Sequence, residues 1–410
     1  MNNKFNYPIL LFFLIVNIIH AQWNQTKISD GAFVSCFAFS DTNIFVGTKN
    51  AAGGDVFRSI DNGTNWTNVR PGNIAIYSLI FSSANLFAAT PNGVYHSTDN
   101  GLSWIFPTKT FEASALAVSD TNLFAGSYNE GVFLSRNNGM SWNAVNSGLN
   151  PHVYSLAVLD TNLLAGVIGS LPPWGVFLST TNGAQWSDTW TEVNEGMGYP
   201  VYSLAIANNN IFAGTENGGV FISANNGTSW NAANNGLIER DLYYLASYKQ
   251  YIFAGSSEYG YGVFVSTDNG YSWTNVGLTQ THISSLAVND KYLFAGTESG
   301  IIWKRPLSDM IPTSVENIEN NVPTMFSLEQ NYPNPYNPTT TIKYSVPRSC
   351  FVTIKIYDLL GKEISSIINE NKSAGNYSVQ YTAGKLANGV YFYRMHAGDF
   401  NETKKMLLIK

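Results

Sequence analysis

Short apolar runs separated by polar turns recur along most of this 410-residue chain. One type is represented by Tyr154–Val158, and a second type, close to Leu-Phe-Ala-Gly-Thr, follows each such run after a short turn. Apolar runs of this length, bounded by Gly, Asn and Asp, are typical of β-strands. The second type occurs seven times, at Ile44–Thr48, Leu86–Thr90, Leu123–Ser127, Leu163–Val167, Ile211–Thr215, Ile252–Ser256 and Leu293–Thr297.

A motif of the form Ser-x-Asp-Asn-Gly-x-x-Trp follows six of these runs. Its copies start at Ser59, Ser97, Ser135, Ser179, Ser223 and Ser266, so successive starts are 38, 38, 44, 44 and 43 residues apart. A strand close to Gly-Val-Phe-x-Ser leads into each motif and another short strand begins at its Trp, which gives four short strands to each unit. Four strands at a period of about 40 residues predict the blades of a β-propeller.

Ring closure is predicted from the two ends of the repeat region. No further copy of the motif follows Gly300, whereas the segment 23–26 resembles the Ser141–Val145 strand. We therefore predict that this N-terminal strand completes the last of seven blades, because closure removes unpaired sheet edges. The equivalent tryptophans are then Trp23, Trp66, Trp104, Trp142, Trp186, Trp230 and Trp273.

The motif resembles the Asp-box, or bacterial neuraminidase repeat, over about Trp23–Pro306. The resemblance implies a propeller like those of sialidases and sortilin-type receptors. In the hairpin, Asp or Asn closes an Asx-type turn, Gly takes a positive φ and Trp packs on the blade. The Asp position itself varies through Asp61, Asp99, Asn137, Thr181, Asn225 and Asp268, a series that a hairpin tolerates and a charged site does not. We therefore assign structural roles to Asp61, Gly63, Trp66, Asp99, Gly101, Trp104, Asp268, Gly270 and Trp273.

From Phe326 onward the strands become longer and alternate, as in Val352–Asp358 and Gly389–Met395. They predict a small immunoglobulin-like β-sandwich after a linker at 307–325. The segment resembles the type A C-terminal sorting domain of the type IX (Por) secretion system at Pro333, Pro335, Gly361, Gly389, Tyr391, Lys404 and Lys405. The resemblance implies that the secretion machinery recognises residues 326–410, and that the protein is then released or attached to the outer-membrane surface. An immunoglobulin-like domain with its own binding role is the alternative.

The N-terminus carries the pattern of a cleaved signal peptide over residues 1–21. Lys4 precedes an apolar run at Ile9–Ile19, and Ala21 stands before the expected cut at Gln22. The run is short for a membrane span, and no later segment is apolar enough for one. The propeller of the mature protein is thus predicted over 22–306, in a protein that crosses the periplasm to the outside.

Net charge and cysteine content narrow the range of partners. The formal net charge is −6, so a nucleic-acid partner is not expected. Cys36 and Cys350 lie in different predicted domains, and nothing in their spacing indicates a disulfide. Cys36 aligns in sequence with Leu116, Leu156, Leu204 and Leu286, which predicts a buried core thiol.

No catalytic residue, metal site or cofactor is predicted, because no metal-spaced cluster, nucleophile elbow or phosphate-binding loop is found. Sialidase activity is not expected, since no Arg stands in a Phe/Tyr-Arg-Ile-Pro motif. A glycoside hydrolase acting on polysaccharide stays open, because its two carboxylates can come from distant loops. An assembly factor that uses the rim of the disc is a third possibility.

The leading hypothesis is a non-catalytic binding or scaffold protein for a glycan or protein ligand. Its candidate residues are aromatics in enlarged loops outside the repeat's packing pattern, on one predicted face: Trp174, Trp190, Tyr259 and Tyr261. Aromatic side chains suit sugar stacking or protein anchoring, although they also cover their own loops. Four glutamates, Glu130, Glu216, Glu258 and Glu298, make the same face mildly acidic.

Overall fold

The computed structural model describes residues 23–29, 31–40, 43–69, 71–169, 173–180, 189–258, 260–311, 325–348, 350–372, 375–384, 386–398 and 400–409. The chain divides into two compact units, Met1–Thr313 and Ser314–Lys410. In the described ranges every regular element is a β-strand except the 3-10 turn Leu307–Asp309, which confirms the predicted all-β class. The predicted signal peptide and most of the predicted linker lie outside the described residues.

The first unit is a ring of seven antiparallel sheets, or blades. The strand nearest the axis of each blade contacts the corresponding strand of the next blade, and the last contacts the first. The chain begins with β1 (Asn24–Lys27). Blades 1 to 3 follow: blade 1 has β2 (Phe33–Phe39), β3 (Ile44–Lys49), β4 (Val56–Ser59) and β5 (Thr67–Asn68); blade 2 has β6 (Ser78–Ser82), β7 (Asn85–Thr90) and β8 (Gly93–Ser97); and blade 3 has β9 (Ala113–Ser119), β10 (Asn122–Ser127), β11 (Gly131–Ser135) and β12 (Asn143–Ala144).

Blades 4 to 7 complete the ring. Blade 4 has β13 (Val153–Leu159), β14 (Asn162–Val167), β15 (Gly175–Ser179) and β16 (Thr191–Glu192), and blade 5 has β17 (Val201–Ala207), β18 (Asn210–Thr215), β19 (Gly219–Ser223) and β20 (Asn231–Ala232). Blade 6 has β21 (Tyr244–Tyr248), β22 (Tyr251–Gly255), β23 (Val263–Ser266) and β24 (Thr274–Gly277), and blade 7 has β25 (Ile283–Val288), β26 (Tyr292–Thr297) and β27 (Ile301–Pro306).

The N-terminal strand β1 is the fourth strand of blade 7. It pairs antiparallel with β27, with Asn24 opposite Lys304 and Lys27 opposite Ile301. The indole N–H of Trp23, just before β1, donates to the carbonyl of Val276 in blade 6 at 2.8 Å. Both ends of the repeat region are therefore held in one sheet, which leaves the ring without an open blade edge at that point.

Buried or half-buried tryptophans join most blades to the one before them, whereas Trp142 of blade 3 donates to the carbonyl of Gly139 in its own hairpin at 3.1 Å. Indole N–H groups donate to a carbonyl in or beside the outermost strand of the preceding blade, from Trp104 to Val69 at 2.7 Å, Trp190 to Val145 at 2.6 Å, Trp230 to Val193 at 2.7 Å and Trp273 to Ala233 at 2.7 Å. Trp66 instead donates to the hydroxyl of Thr26 in β1 at 3.1 Å. A buried indole N–H needs such a partner, and its ring adds a large apolar area to the contact between blades.

Trp190 was predicted to lie outside this packing pattern, and that prediction is wrong. Its side chain is 3% exposed and packs in the apolar cluster shared by blades 3 and 4. It directly precedes β16, as Trp142, Trp230 and Trp273 directly precede the outermost strands of their blades. The blade-4 copy thus carries four extra residues before its packing tryptophan, and Trp186, which was predicted for that role, lies outside the described residues.

Blade 2 departs from the four-strand pattern. Its outer segment makes a single bridge, His96 with Ile105, in place of a named strand. In blade 3 the N–H of Val145 donates to the carbonyl of Val132, and Pro107 occupies the equivalent position in blade 2. Proline has no N–H to donate, so the outer strand cannot continue there.

The Ser-x-Asp/Asn hairpins share one set of hydrogen bonds. In blade 1 the Ser59 hydroxyl donates to Asp61 at 2.8 Å and accepts the N–H of Gly63 at 2.8 Å, while Asp61 accepts the N–H of Asn65 at 2.8 Å. Gly63 has a φ of 78°, which favours glycine. The same serine and Asp or Asn contacts recur around Asp99, Asn137, Asn225 and Asp268.

The hydrogen bonds to Asp61 predict a pH-dependent contribution to stability. Bonds from the N–H and side chain of Asn65, and from Ser59, lower the Asp61 pKa from 3.8 to about 2. A carboxyl with a lowered pKa stabilises the fold above its ordinary pKa, and this contribution is lost as pH falls through about 2. Asp61→Asn is therefore expected to lower the melting temperature slightly at pH 5, with the difference shrinking towards pH 2.

The matched control for this prediction is Asn137→Asp, because Asn137 accepts the corresponding N–H of Ser141 at 2.9 Å. That variant should introduce the same pH dependence into blade 3. Melting curves between pH 2 and pH 6 check both variants. A difference between Asp61→Asn and the parent that does not change with pH contradicts the prediction.

The second unit is a small β-sandwich, as predicted. A three-stranded sheet in the order β28-β29-β32 and a four-stranded sheet in the order β31-β30-β33-β34 enclose one apolar core. Ile342, Ile354, Tyr393 and Met406 from the two sheets are fully buried in that core. The strands are β28 (Ser327–Leu328), β29 (Thr339–Val346), β30 (Cys350–Tyr357), β31 (Glu363–Lys372), β32 (Gly375–Thr382), β33 (Gly389–Ala397) and β34 (Phe400–Leu408).

Candidate functional site

The start of each inner propeller strand places one side chain at the axis of the ring. In every blade this residue follows a buried apolar residue, such as Val153 or Val201. We call the seven positions the first ring: Ser35, Tyr77, Ser114, Tyr154, Tyr202, Tyr243 and Ser284. The next residue along each chain segment forms the second ring: Cys36, Ser78, Ala115, Ser155, Ser203, Tyr244 and Ser285.

Serines of the first ring connect neighbouring blades. The Ser114 hydroxyl donates to the carbonyl of Val153 in blade 4 at 2.7 Å, and Ser284 donates to Val34 in blade 1 at 2.7 Å. Ser35 likewise donates to the carbonyl of Ile76 in blade 2. A small hydroxyl residue at this position therefore satisfies a backbone carbonyl and closes the gap between blades.

All seven first-ring residues border a cavity of about 520 Å³, which we call the mouth, and the four first-ring tyrosines with Tyr244 of the second ring form most of its aromatic wall. Lys49, Glu112 and Tyr128 complete its wall at the outer end. The mouth lies where inner strands begin, on the face that carries the loops between second and third strands. A deep cavity with aromatic walls and a few polar groups is the usual form of a ligand site.

Three tyrosine rings form a continuous contact along blades 4 to 6. The rings of Tyr202 and Tyr243 are stacked, with centroids 4.3 Å apart and an interplanar angle of 16°. Tyr154 contacts Tyr202 at 5.1 Å and 63°. No hydrogen bond to another described residue holds the hydroxyl of any of the three. These hydroxyls are thus available to a ligand.

Burial and nearby carboxylates keep these phenols protonated. Burial, followed by the charge of Glu216, raises the pKa of Tyr202 to about 12. Burial, followed by the charges of Asp241 and Glu216, raises the pKa of Tyr243 as well. At neutral pH both side chains therefore present neutral hydroxyl groups.

A single lysine lies on the opposite side of the mouth. The ammonium nitrogen of Lys49 is 4.5 Å from the ring centroid of Phe33 and 5.7 Å from that of Tyr77. Burial lowers the pKa of this lysine, and contact with aromatic rings partly compensates for lost hydration. The blade 1 side of the mouth thus already contains a cation against an aromatic wall.

Cys36 lies in the second ring and is equivalent to Ser155, Ser203 and Ser285. In each of these inner strands the pairing with the second strand skips the first-ring residue and resumes at the second-ring residue. The alignment of Cys36 with the repeat leucines is therefore wrong by one residue. The residue is half-buried and lines the mouth, and burial raises the pKa of its thiol to about 12. Both Cys36 and Cys350 are free thiols.

Three of the four aromatics predicted to bind a ligand, Trp174, Trp190 and Tyr261, are not among the residues that line the mouth. Trp174 and Tyr261 are half-buried, and the ring of Tyr261 packs against the core between blades 5 and 6. Trp190 is buried between blades, and Tyr259 lies outside the described residues. The sequence signal that marks the mouth is a single repeat position that is Ser in three blades and Tyr in four. Reasoning from residues outside the repeat does not detect it.

The Pro-rich segment of the second unit is tied to the last strand. The N–H of Tyr336 donates to the carbonyl of Leu407 at 2.9 Å, and the N–H of Leu407 donates to the Asn334 side chain at 2.9 Å. The peptide bonds before Pro333 and Pro335 are cis. This segment therefore lies along β34 as an ordered part of the sandwich.

The other predicted sorting positions have local structural partners. Gly361 has a φ of 78° in the turn closed by Asp358, and the Tyr391 hydroxyl donates to the carbonyl of Ala387 at 2.8 Å. Lys404 pairs with Glu402 at 2.6 Å, while Lys405 is exposed. Gly389 begins β33, next to the C-terminal end of β34.

The described residues contain neither a metal-binding cluster nor a membrane-spanning helix. In those ranges no three His, Cys, Asp or Glu side chains are grouped so that they could hold a metal ion. No helix among them has the length and apolar character needed to cross a membrane.

Residues 330–410 match the family of secretion system C-terminal sorting domains, Por_Secre_tail. This tail indicates export by the type IX secretion system to the cell surface or beyond. No curated protein sequence matches the chain.

Several solved structures share the propeller fold. "YCF48 bound to D1 peptide" has 16% identity and a TM-score of 0.55, over 69% of this chain and 96% of that one. PorZ of Porphyromonas gingivalis, described as an essential surface component of the type-IX secretion system, has 16% identity and a TM-score of 0.53, over 91% of this chain. The extracellular domain of BT4673 from B. thetaiotaomicron has 12% identity and a TM-score of 0.55, over 95% of this chain. This chain spans 59% of the length of each of the last two, and at these identities the likeness shows the fold alone.

Proposed function

We propose that this exported protein is a non-catalytic binding protein whose propeller mouth holds a glycan or a protein segment. The observation that carries the proposal is the use of Tyr in place of Ser at the first ring of blades 2, 4, 5 and 6. Serine at this position connects blades, so the fold itself has no need of tyrosine there. Tyrosine supplies apolar area and a hydroxyl at low entropic cost, and it is enriched at binding surfaces.

The organisation that we propose follows the sequence. A leader over residues 1–21 directs export and an Asp-box propeller, predicted over 22–306, binds the ligand. A linker was predicted over 307–325, but Leu307 and Ile311 are buried in the propeller core, so the proposed linker begins after Ile311. Residues 326–410 act as the sorting domain, which the type IX machinery removes on release or on attachment to surface lipopolysaccharide. The match at 330–410 and the Ser-x-Asp/Asn hairpin contacts support this division.

A binding panel with tyrosine variants tests the proposal. The full exported chain is screened against arrays of glycans and of peptides, and bound material is analysed chromatographically for products. The double variant Tyr202→Ala/Tyr243→Ala is expected to lose at least about tenfold in affinity for whatever the parent binds, because such anchors dominate binding energy. Tyr271→Ala is the matched control, since Tyr271 is 63% exposed on a hairpin between β23 and β24, on the opposite face.

Melting curves check that each variant folds. If the alanine variant melts early, Tyr202→Phe/Tyr243→Phe is used in its place, because it removes the two hydroxyls and retains the stacked rings. Equal loss of binding in Tyr271→Ala, or no loss in the mouth variants, contradicts the proposal. Product formation that depends on a carboxylate of the mouth would instead establish the glycoside hydrolase alternative.

A further inference from the structure

The tyrosine wall of blades 4 to 6 offers a ligand more hydroxyl and ring edge than open ring face. Tyr243 stacks on Tyr202 at 4.3 Å, and Tyr154 contacts the same ring at 5.1 Å. A sugar ring that stacks on an aromatic residue needs an uncovered ring face, and Tyr202 shares its surface with two neighbours. The wall is better suited to a group that donates hydrogen bonds to oxygen atoms.

Two carboxylates lie near this wall, outside the set of residues that line the mouth itself. Asp241 precedes Tyr243 by two residues, and its carboxylate accepts the N–H of Asn217 at 2.7 Å, which places it next to the loop that carries Glu216. Both carboxylates are close enough for their charges to raise the pKa of Tyr202 and of Tyr243, in addition to burial. A carboxylate accepts hydrogen bonds and donates none, so it complements a donor-rich cation.

This side of the mouth has no cation of its own in the described structure. Neither Glu216 nor Asp241 forms an ion pair with a described basic side chain, and the neighbouring Arg240 is exposed and pairs with neither. On the blade 1 side, by contrast, Lys49 places its ammonium group over Phe33 and Tyr77. A cation therefore already lies against aromatic rings on the blade 1 side, whereas the two carboxylates near the wall of blades 4 to 6 have no described ionic partner.

We propose that the wall formed by Tyr154, Tyr202 and Tyr243, with Glu216 and Asp241, binds an ammonium or guanidinium group. The group is presented by a Lys or Arg side chain of a protein or by a small organic amine. Such a cation donates hydrogen bonds to the phenol and carboxylate oxygens together. This inference rests on the proposed function, because it names the ligand class of the same mouth.

Fluorescence anisotropy with defined probes tests the ligand class. The full exported chain is titrated against labelled hexapeptides that differ only in a central Lys-Arg, Ala-Ala or Glu-Glu pair, with free spermidine as competitor. The parent should bind the Lys-Arg peptide at least about tenfold more tightly than the Ala-Ala peptide. Competition by spermidine at concentrations similar to the peptide assigns the site to small amines, and failure to compete assigns it to protein side chains.

Charge-removing variants tie the preference to the wall. Glu216→Gln/Asp241→Asn should abolish most of the Lys-Arg preference while leaving the melting temperature nearly unchanged. Asp290→Asn is the matched control, because Asp290 is exposed between β25 and β26, at the opposite end of the inner strands from the mouth. That variant should keep the preference.

Equal affinity for the Lys-Arg and Ala-Ala peptides overturns the inference, as does an equal effect of Asp290→Asn. If a neutral glycan from the panel binds and is lost in Tyr202→Ala/Tyr243→Ala but retained in Glu216→Gln/Asp241→Asn, the ligand class is wrong and the proposed function stands. If no bound ligand depends on Tyr202 or Tyr243, both fail.

Discussion

Deletion of residues 326–410 is expected to leave the protein in the periplasm, with nearly complete loss from the cell surface and the medium. Residues 330–410 match the sorting domain of the secretion system, and Ser314–Lys410 form a compact unit with their own apolar core. The propeller has a separate core and closes its ring through β1 and β27, so it has no need of the tail to fold. The expected defect is therefore in export and not in stability.

Cell fractionation followed by immunoblotting measures this effect. The full chain with Tyr202→Ala/Tyr243→Ala is the control, because it alters the mouth and keeps the tail; it should reach the surface at the parent level. Unchanged export of the truncated chain would mean that the tail does not direct secretion. Degradation of the truncated chain in the periplasm is recognised by comparison with purified residues 22–325 in a protease assay.

Trp190→Ala is expected to destabilise the propeller by about 3–5 kcal/mol, as is typical of large aromatic deletions in a core. The side chain is 3% exposed among residues of blades 3 and 4. Its indole N–H donates to the carbonyl of Val145 at 2.6 Å, so the substitution creates a cavity and leaves a buried carbonyl without its donor. A loss of this size is a large fraction of the about 5–15 kcal/mol that ordinarily separates folded from unfolded domains.

Urea unfolding followed by tryptophan fluorescence and circular dichroism measures the loss. Tyr271→Ala, at a residue 63% exposed, is the control and should change the free energy of unfolding by no more than about 0.5 kcal/mol. A loss below about 1 kcal/mol for Trp190→Ala would show that this indole is not part of the blade packing.

The propeller was predictable because each repeat carries the same strands and turns. Strand periodicity and the Asn-Gly turns gave the blade pattern, and a small residue set at fixed spacing specifies the hairpins around Asp61 and Asp268. Two local changes were not predicted. One changes the spacing within a repeat and the other removes a backbone N–H donor, and neither alters the Ser-x-Asp/Asn motif itself. Four extra residues move the packing tryptophan of blade 4 to Trp190, and Pro107 removes the N–H that the outer strand of blade 2 needs.

The mouth was harder to predict than the fold. Residues that break the repeat pointed to Trp174, which is half-buried, and to Tyr261, which packs on blades 5 and 6; neither lines the mouth. Tyr154 and Tyr202, by contrast, occupy a regular position of the repeat. They lie in the cavity at the axis, where segments from all seven blades meet. Sequence shows that the position alternates between Ser and Tyr, whereas only the ring geometry shows that the tyrosines lie side by side.

Hydrogen–deuterium exchange tests the central claim, that the propeller binds its ligand in the mouth. The full exported chain is compared with and without the tightest binder from the glycan and peptide panel. We expect slower exchange in segments that contain Tyr154, Tyr202 and Tyr243, and no change around Tyr271 on the opposite face. Slower exchange confined to the outer strands or to residues 326–410, with the mouth segments unchanged, would contradict the account.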